Sequence, residues 1–133
     1  ADLPVIFHSG YDCVSPDLIH STPERALNMI KKHPKLKVIL AHLGANMMWE
    51  KVLDVLAGVE GEVYFDTAFT SMCPDELMQQ IVEKHGADRI LFASDCPWDS
   101  SYLIKEKILR LNISEKDKDK ILGENAARLL GIE

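Results

Sequence analysis

Apolar residues fall along this chain in four short, near-continuous runs separated by stretches with helical spacing. The runs are Pro4-Val5-Ile6-Phe7, Val38-Ile39-Leu40-Ala41, Val63-Tyr64-Phe65 and Ile90-Leu91-Phe92-Ala93. Continuous rather than alternating apolar character predicts parallel strands covered on both faces. After the first run, a turn-rich loop leads to a helix starting near Thr22-Pro23. Ser21 or Thr22 serves as its cap, and Pro23 sits in the first turn, where its missing N–H costs nothing. Ala26, Leu27, Met29 and Ile30 form its apolar face, and His33-Pro34 stops it. A second helix, capped by Asn46, carries Trp49, Val52, Leu53 and Leu56 and ends between Gly58 and Gly61. A third opens near Pro74, carries Leu77, Met78, Ile81 and Val82, and ends at Lys84-His85-Gly86. Beyond the fourth run, helix is predicted over residues 102–111, 115–122 and 124–130, with Ser114 capping the second of these segments.

The resulting order is βαβαβαβα with additional C-terminal helix, an α/β class. Units of roughly 30 residues suit right-handed βαβ crossovers. A chain of 133 residues, 47% of them hydrophobic, makes a single domain over 1–133 with a real core. A closed (β/α)8 TIM barrel needs ~250 residues, so four βα units amount to a half-barrel or a small open sheet. As a half-barrel, the chain is expected to expose unpaired edges on both outer strands and interior side chains on one side. Such a piece self-associates as a homo-oligomer or binds a complementary N-terminal half-barrel. The chain lacks an initiating Met and enters its first strand almost at once, so it reads as a processed or excised piece.

Charge narrows the partners. Fifteen Lys and Arg against 21 Asp and Glu give a formal charge of -6. The basic residues near Lys31-Lys32-His33 and the alternating segment from Glu115 to Lys120 read as solvated helix faces, so no nucleic acid is expected. No apolar stretch approaches the ~20 residues that span a bilayer, so no membrane is expected either. Cys13, Cys73 and Cys96 are odd in number and widely spaced, which argues against a disulfide framework or a Cys-rich zinc site. A reducing, cytoplasmic setting is the expectation. Cys13 and Cys96, just past His8 and Asp95, read either as small buried hydrophobes in loops, the favoured reading, or as ligands.

Each apolar run ends in a residue that carries chemistry: His8, His42, Asp66 and Asp95. Parallel neighbouring strands bring such residues to one rim. His8 is either a metal ligand or base, or a loop histidine bonded to backbone. His42 sits in Ala41-His42-Leu43-Gly44, where Gly44 permits a tight turn that holds the imidazole over the rim. Its ordinary pKa lies near neutrality, so it can pass a proton in either direction. Asp95, in Ser94-Asp95-Cys96-Pro97-Trp98, can bind a divalent metal or take a proton from bound water. Asp66 either orients a histidine or contacts substrate, or makes loop and capping hydrogen bonds. His20 is a weaker candidate. His33 and His85 fall at helix C-termini, where imidazole suits the dipole. Tyr11, Phe69 and Trp98 are either apolar substrate contacts or ordinary packing.

Four segments together carry a resemblance. They are Pro4-Val5-Ile6-Phe7-His8-Ser9-Gly10, His33-Pro34-Lys35-Leu36-Lys37-Val38-Ile39-Leu40-Ala41-His42-Leu43-Gly44, Val63-Tyr64-Phe65-Asp66-Thr67, and the stretch from Gly86 through Ser94-Asp95-Cys96-Pro97-Trp98. With the ending Ile121-Leu122-Gly123-Glu124-Asn125-Ala126-Ala127-Arg128-Leu129-Leu130, they resemble the C-terminal half of the amidohydrolase-related family. The branch is the one containing aminocarboxymuconate-semialdehyde decarboxylase and related aromatic-acid decarboxylases and hydrolases.

The resemblance implies strands five to eight of a TIM barrel, with one divalent metal, usually Zn2+, at the C-terminal face. It implies His8 and Asp95 as metal ligands, and His42 and Asp95 as catalytic groups acting on metal-activated water. The substrate it implies is a small carboxylated or cyclic molecule. The family's His-x-His pair, which supplies two further ligands, does not occur in this sequence.

Three functional readings follow. One is a metal-dependent hydrolase or decarboxylase. Another is a catalytically inactive half-barrel that acts through self-association or with a missing N-terminal half. The last is an open-sheet regulatory or binding domain.

Overall fold

The four apolar runs form neighbouring strands of one parallel sheet in a computed structural model that describes residues 3–132. The strands are β1 (Val5–Phe7), β2 (Val38–Leu40), β3 (Val63–Asp66) and β4 (Ile90–Leu91), and they lie side by side in chain order. Helices α1 (Pro23–Lys32), α2 (Trp49–Val55) and α3 (Asp75–His85) are the crossovers, and α4 (Ser101–Arg110) follows β4. The chain ends in α5 (Glu115–Asp119), a π-helical turn (Lys120–Glu124) and α6 (Asn125–Leu130). This is the expected half of a (β/α)8 barrel with extra C-terminal helix. Among the described residues, no helix is long and apolar enough to cross a membrane.

Register explains why the strands are apolar throughout. Val38 aligns with Val5 and Val63, and Leu40 aligns with Phe7 and Phe65. These positions of β2 and β3, with Ile90, enter the main core with Ile30, Val52, Leu56, Met78, Ile81, Ile104 and Ile108 of the helices. The alternate positions Ile39, Tyr64 and Leu91 point to the opposite, concave face. A half-barrel should leave that face wet. Instead all three are buried, because Ala126 and Leu129 of α6 pack against them.

The two edges of the sheet differ. On β4, the Phe92 N–H donates to the Ile121 carbonyl in the π-helical turn, and the Asn125 amide donates to the Ile90 carbonyl. The expectation of two bare edges is therefore corrected, because the C-terminal helical segment covers the outer side of β4. On β1, the Val5 N–H and Phe7 C=O face β2, which leaves the main-chain groups of Ile6 on the outer side. Leu3, Val5, Ile6 and Phe7 are all exposed there.

Several local expectations hold. Thr22 caps α1 through its side chain, Pro23 opens the helix, and Ser114 caps α5. Others do not. Asn46 does not cap α2, whose N-cap position is Met48 with no side-chain bond. Asn46 instead bonds its backbone to Ser9 and Tyr11, stitching the β2–α2 loop to the loop after β1. The fourth strand is shorter than its apolar run, because the Ala93 N–H turns to the Thr67 hydroxyl. Cys13 and Cys96 are exposed, and Cys73 is the buried thiol.

His85 is not a dipole-facing surface histidine. It is buried, stacks on Phe65 with ring centroids 3.8 Å apart, and donates from Nε2 to the Val63 carbonyl. Its Nδ1 accepts from the Gly58 N–H. Burial, with Arg89 nearby, lowers its pKa to about 3. The ring is therefore neutral and acts as a polar tie between α3, β3 and the end of the α2 segment.

Candidate active site

The sheet carries its titratable strand ends to one rim. His8 follows β1, His42 lies two residues past β2, Asp66 ends β3 and Asp95 follows β4. His8 Nδ1 and His42 Nε2 stand 3.0 Å apart, with ring centroids 4.8 Å apart in an edge-on arrangement. His42 is buried, whereas His8 and Asp95 are exposed. Asp95 makes no side-chain hydrogen bond to either imidazole, but it lies near enough for its charge to act on Asp66. The two imidazoles therefore meet as expected, and the aspartate stands on the same rim without joining them.

The rim backbone is strained where these groups sit. His42, Leu43 and Gly44 have successive φ of 63, 55 and 92°, a left-handed turn that places the imidazole over the rim. Left-handed geometry costs a non-glycine residue roughly 1–2 kcal/mol. Met47, Phe69 and Asp95 are also left-handed, so each non-glycine residue of this kind among the described residues lies in a loop at the C-terminal ends of the strands. Strain of this type collects at functional sites and persists only where neighbours enforce it. Here the Leu43 N–H donates to the Asp66 carbonyl at 2.6 Å, and Trp49 Nε1 donates to the His42 carbonyl at 3.0 Å.

Hydrogen bonding also assigns the protons. His42 Nδ1 lies 3.0 Å from the Ala68 carbonyl, which can only accept. Nδ1 therefore carries the proton, and in the neutral ring Nε2 is a bare acceptor. His8 must then donate from Nδ1 to His42, which leaves the His8 Nε2 lone pair free.

Asp66 holds this arrangement in place. Its Oδ1 accepts from the backbone N–H groups of both His42 and Ala68 at 3.0 Å. Burial pushes its carboxyl above the usual carboxylate range, and those two N–H donors pull the other way. Only the Asp at the end of Val63-Tyr64-Phe65 signalled this in the sequence. The partnership with Ala68 depends on loop geometry, which has no sequence pattern of its own.

A cavity of about 390 Å³ opens beside the pair. Its walls include His8, His42, Tyr11, Asn46, Phe69 and Trp98, and it is largely apolar with two imidazoles in its lining. Asn46 lines it with its Nδ2 bonded to the Tyr11 carbonyl and its Oδ1 unpartnered. A larger cleft of about 750 Å³ lies between Phe7 of β1 and Met29, Pro34 and Leu36. It holds none of the rim residues, so we assign it to packing and not to chemistry.

The donor set does not fit a metal by itself. Among the described residues, no group of three His, Cys, Asp or Glu side chains is placed to hold a metal ion. The lone pair of His42 Nε2 is engaged by His8, so the rim offers the free His8 nitrogen and a separate Asp95 carboxylate.

The amidohydrolase family model matches residues 1–132. The chain belongs to the amidohydrolase family. Among similar proteins is the gamma-resorcylate decarboxylase of Rhizobium sp. (strain MTP-10005), 26% identical over 136 residues, covering 86% of this chain and 40% of that one. A crystal structure of 2,6-dihydroxybenzoate decarboxylase with 2,6-dihydroxybenzoate superposes with a TM-score of 0.71 at 21% identity, covering 98% of this chain and 52% of that one. A dihydroxybenzoic acid decarboxylase from Polaromonas sp. JS666, with bound manganese and 2-nitroresorcinol, gives a TM-score of 0.61 at 25% identity, covering 82% of this chain and 39% of that one. This amidohydrolase chain thus spans 40% of the curated relative's length and about half of the first solved structure.

Proposed function

We propose that this chain supplies the imidazole-bearing half of a decarboxylase-type active site and works only with a complementary (β/α)4 half. That half is either part of the same polypeptide or a separate one. The observation that carries this reading is the His8–His42 pair at 3.0 Å on the C-terminal rim, without a third donor arranged around it. A mononuclear catalytic centre takes three protein ligands plus an open position. His8, through Nε2, and Asp95 are the two ligands this half offers. A divalent metal, when bound by the completed set, would supply charge stabilisation or an activated water.

The chain's own groups have definable tasks. His42 lines the cavity with an unprotonated Nε2 that His8 engages, and it is the acid–base group, with Asp95 the second proton acceptor on the rim. Tyr11, Phe69 and Trp98 give an apolar wall suited to a planar ring. Similarity to resorcylate and dihydroxybenzoate decarboxylases supports a small aromatic carboxylate as substrate and loss of carbon dioxide as the reaction. Metal-assisted hydrolysis would use the same groups.

The partner docks first along β1, where Ile6 offers free main-chain groups and apolar side chains lie exposed. Joining at β4 additionally requires Ile121 to release the Phe92 N–H. Manganese or zinc titration by calorimetry tests the reading. The 133-residue chain alone should bind weakly and without stoichiometry. Adding a complementary half that bears His-x-His should give one ion per complex and turnover of 2,6-dihydroxybenzoate, both lost in His8→Ala. Stoichiometric metal and turnover by the chain alone would refute it.

A further inference from the structure

We propose that Asp66 is the positioning residue that fixes the tautomer of the imidazole pair, acting on His42 through the backbone of Ala68. One carboxylate oxygen takes two hydrogen bonds that serve a single end. The bond from the His42 N–H holds the left-handed backbone from which the ring projects. The bond from the Ala68 N–H anchors the residue whose carbonyl, in the next peptide unit, faces the same ring at Nδ1. The backbone carbonyl of Asp66 adds a third restraint through Leu43. His42 is thus held at its backbone by Asp66 directly and at one ring nitrogen by Ala68, which Asp66 anchors.

The chemical consequence lies in the protons. An unconstrained neutral histidine favours the Nε2–H form, and a bare Nε2 requires an acceptor at Nδ1. Ala68 O is that acceptor, and Asp66 keeps it in place. With Nε2 bare, His42 draws the Nδ1–H of His8, and the His8 lone pair is left at Nε2. Without the clamp, both rings are free to exchange donor and acceptor roles. Burial strengthens the arrangement, since charge-assisted bonds to backbone N–H are about twice as strong as neutral ones and water cannot replace them. The fit also explains why β3 ends in a carboxylate facing the concave side, in register with Leu91. The inference rests on the proposed function only in naming His42 as the working imidazole.

Nitrogen NMR of 15N-histidine-labelled full chain tests it without turnover or metal. In the wild type, His42 should show a single Nδ1–H form, and His85 a single Nε2–H form set by Val63 and Gly58. Asp66→Ala should convert His42 to a mixture or to Nε2–H and leave His85 unchanged, while Asp66→Asn, which keeps an acceptor oxygen, should retain the wild-type form. A His42 that stays wholly Nδ1–H in Asp66→Ala, with His85 intact, overturns the proposal.

If Asp66→Ala loses the His85 signals as well, the wild type decides. Scalar coupling across the hydrogen bonds from the His42 and Ala68 amide nitrogens to the Asp66 carboxyl carbon supports the clamp, and its absence overturns it. The metal titration above can fail while these signals stand, and the reverse also holds.

Discussion

The Asn125 amide reaches the Ile90 carbonyl at 2.8 Å and the Ala87 carbonyl at 2.7 Å, so one side chain closes the outer edge of the last strand. Asn125 is fully buried, and both of its contacts use Nδ2 as donor. Asn125→Ala should therefore leave the Ile90 carbonyl unsatisfied, while the Ala87 carbonyl keeps the Ile90 N–H, and cost about 1–3 kcal/mol in urea unfolding. Asn125→Asp should cost more, because it turns a carboxylate oxygen toward those carbonyls. Equal stability of the three proteins would show that this edge is not held by the side chain.

Acid sensitivity should trace to His85. Its folded pKa of about 3 lies below the ordinary imidazole value of 6.5, so the folded state disfavours the proton. Its contribution is fully present above the unfolded pKa and is lost as pH falls from about 6.5 toward 3. Between pH 7 and 5 the chain should lose about 2 kcal/mol of unfolding free energy from this residue. Asp66 has the opposite sign. Its carboxyl is raised in the fold, so its contribution is larger in acid and diminishes as pH rises past the ordinary carboxylate range. The two windows overlap in mild acid with opposite signs, so the His85→Gln comparison isolates the histidine share. Urea unfolding at pH 7 and pH 5 should show the 2 kcal/mol difference in the wild type and its disappearance in His85→Gln.

The parallel order of the four strands was legible because each run is apolar on both faces, and the strand-end position of His8, His42 and Asp95 was legible from the same runs. The covered concave face was not. Ala126 and Leu129 read as an ordinary helix face, and nothing in their spacing says that they fold back over Ile39 and Tyr64. His85 looked like a helix-end cation because its neighbours Lys84 and Gly86 are exposed or turn-forming. Its burial comes from Phe65 and Val63 across 20 residues of chain or more. Asn46 read as a cap from its place before Trp49, yet its backbone was claimed by the loop after β1. Local pattern set the elements, and the long-range loop contacts reassigned the polar residues among them.

That loop contact makes Gly10 sensitive. Its φ is 89°, and a Cβ there would stand 2.2 Å from the Asn46 nitrogen. Both terms oppose a side chain, and the neighbour is backbone, which cannot swing away. Gly10→Ala should destabilise by about 2–4 kcal/mol and separate Tyr11 and Asn46 at the cavity wall. Thermal unfolding measures the first effect. A nuclear Overhauser contact between Asn46 Nδ2 protons and Tyr11, present in the wild type and absent in the variant, measures the second.

Trp49 tests the strained turn directly. Its indole N–H donates to the His42 carbonyl at 3.0 Å from a buried ring, so it satisfies an acceptor that the left-handed turn points inward. Trp49→Phe retains most of the apolar volume but removes the donor. The lost bond and the unsatisfied carbonyl together should cost about 1–3 kcal/mol. Because Asp66 and Ala68 still hold the far side of His42, its Nδ1–H form should survive in Trp49→Phe. The two supports are thus separable: the tryptophan carries the energy of the turn, and the aspartate carries the direction of the ring. A Trp49→Phe protein of unchanged stability, or one in which His42 changes tautomer, would show that the division is wrong.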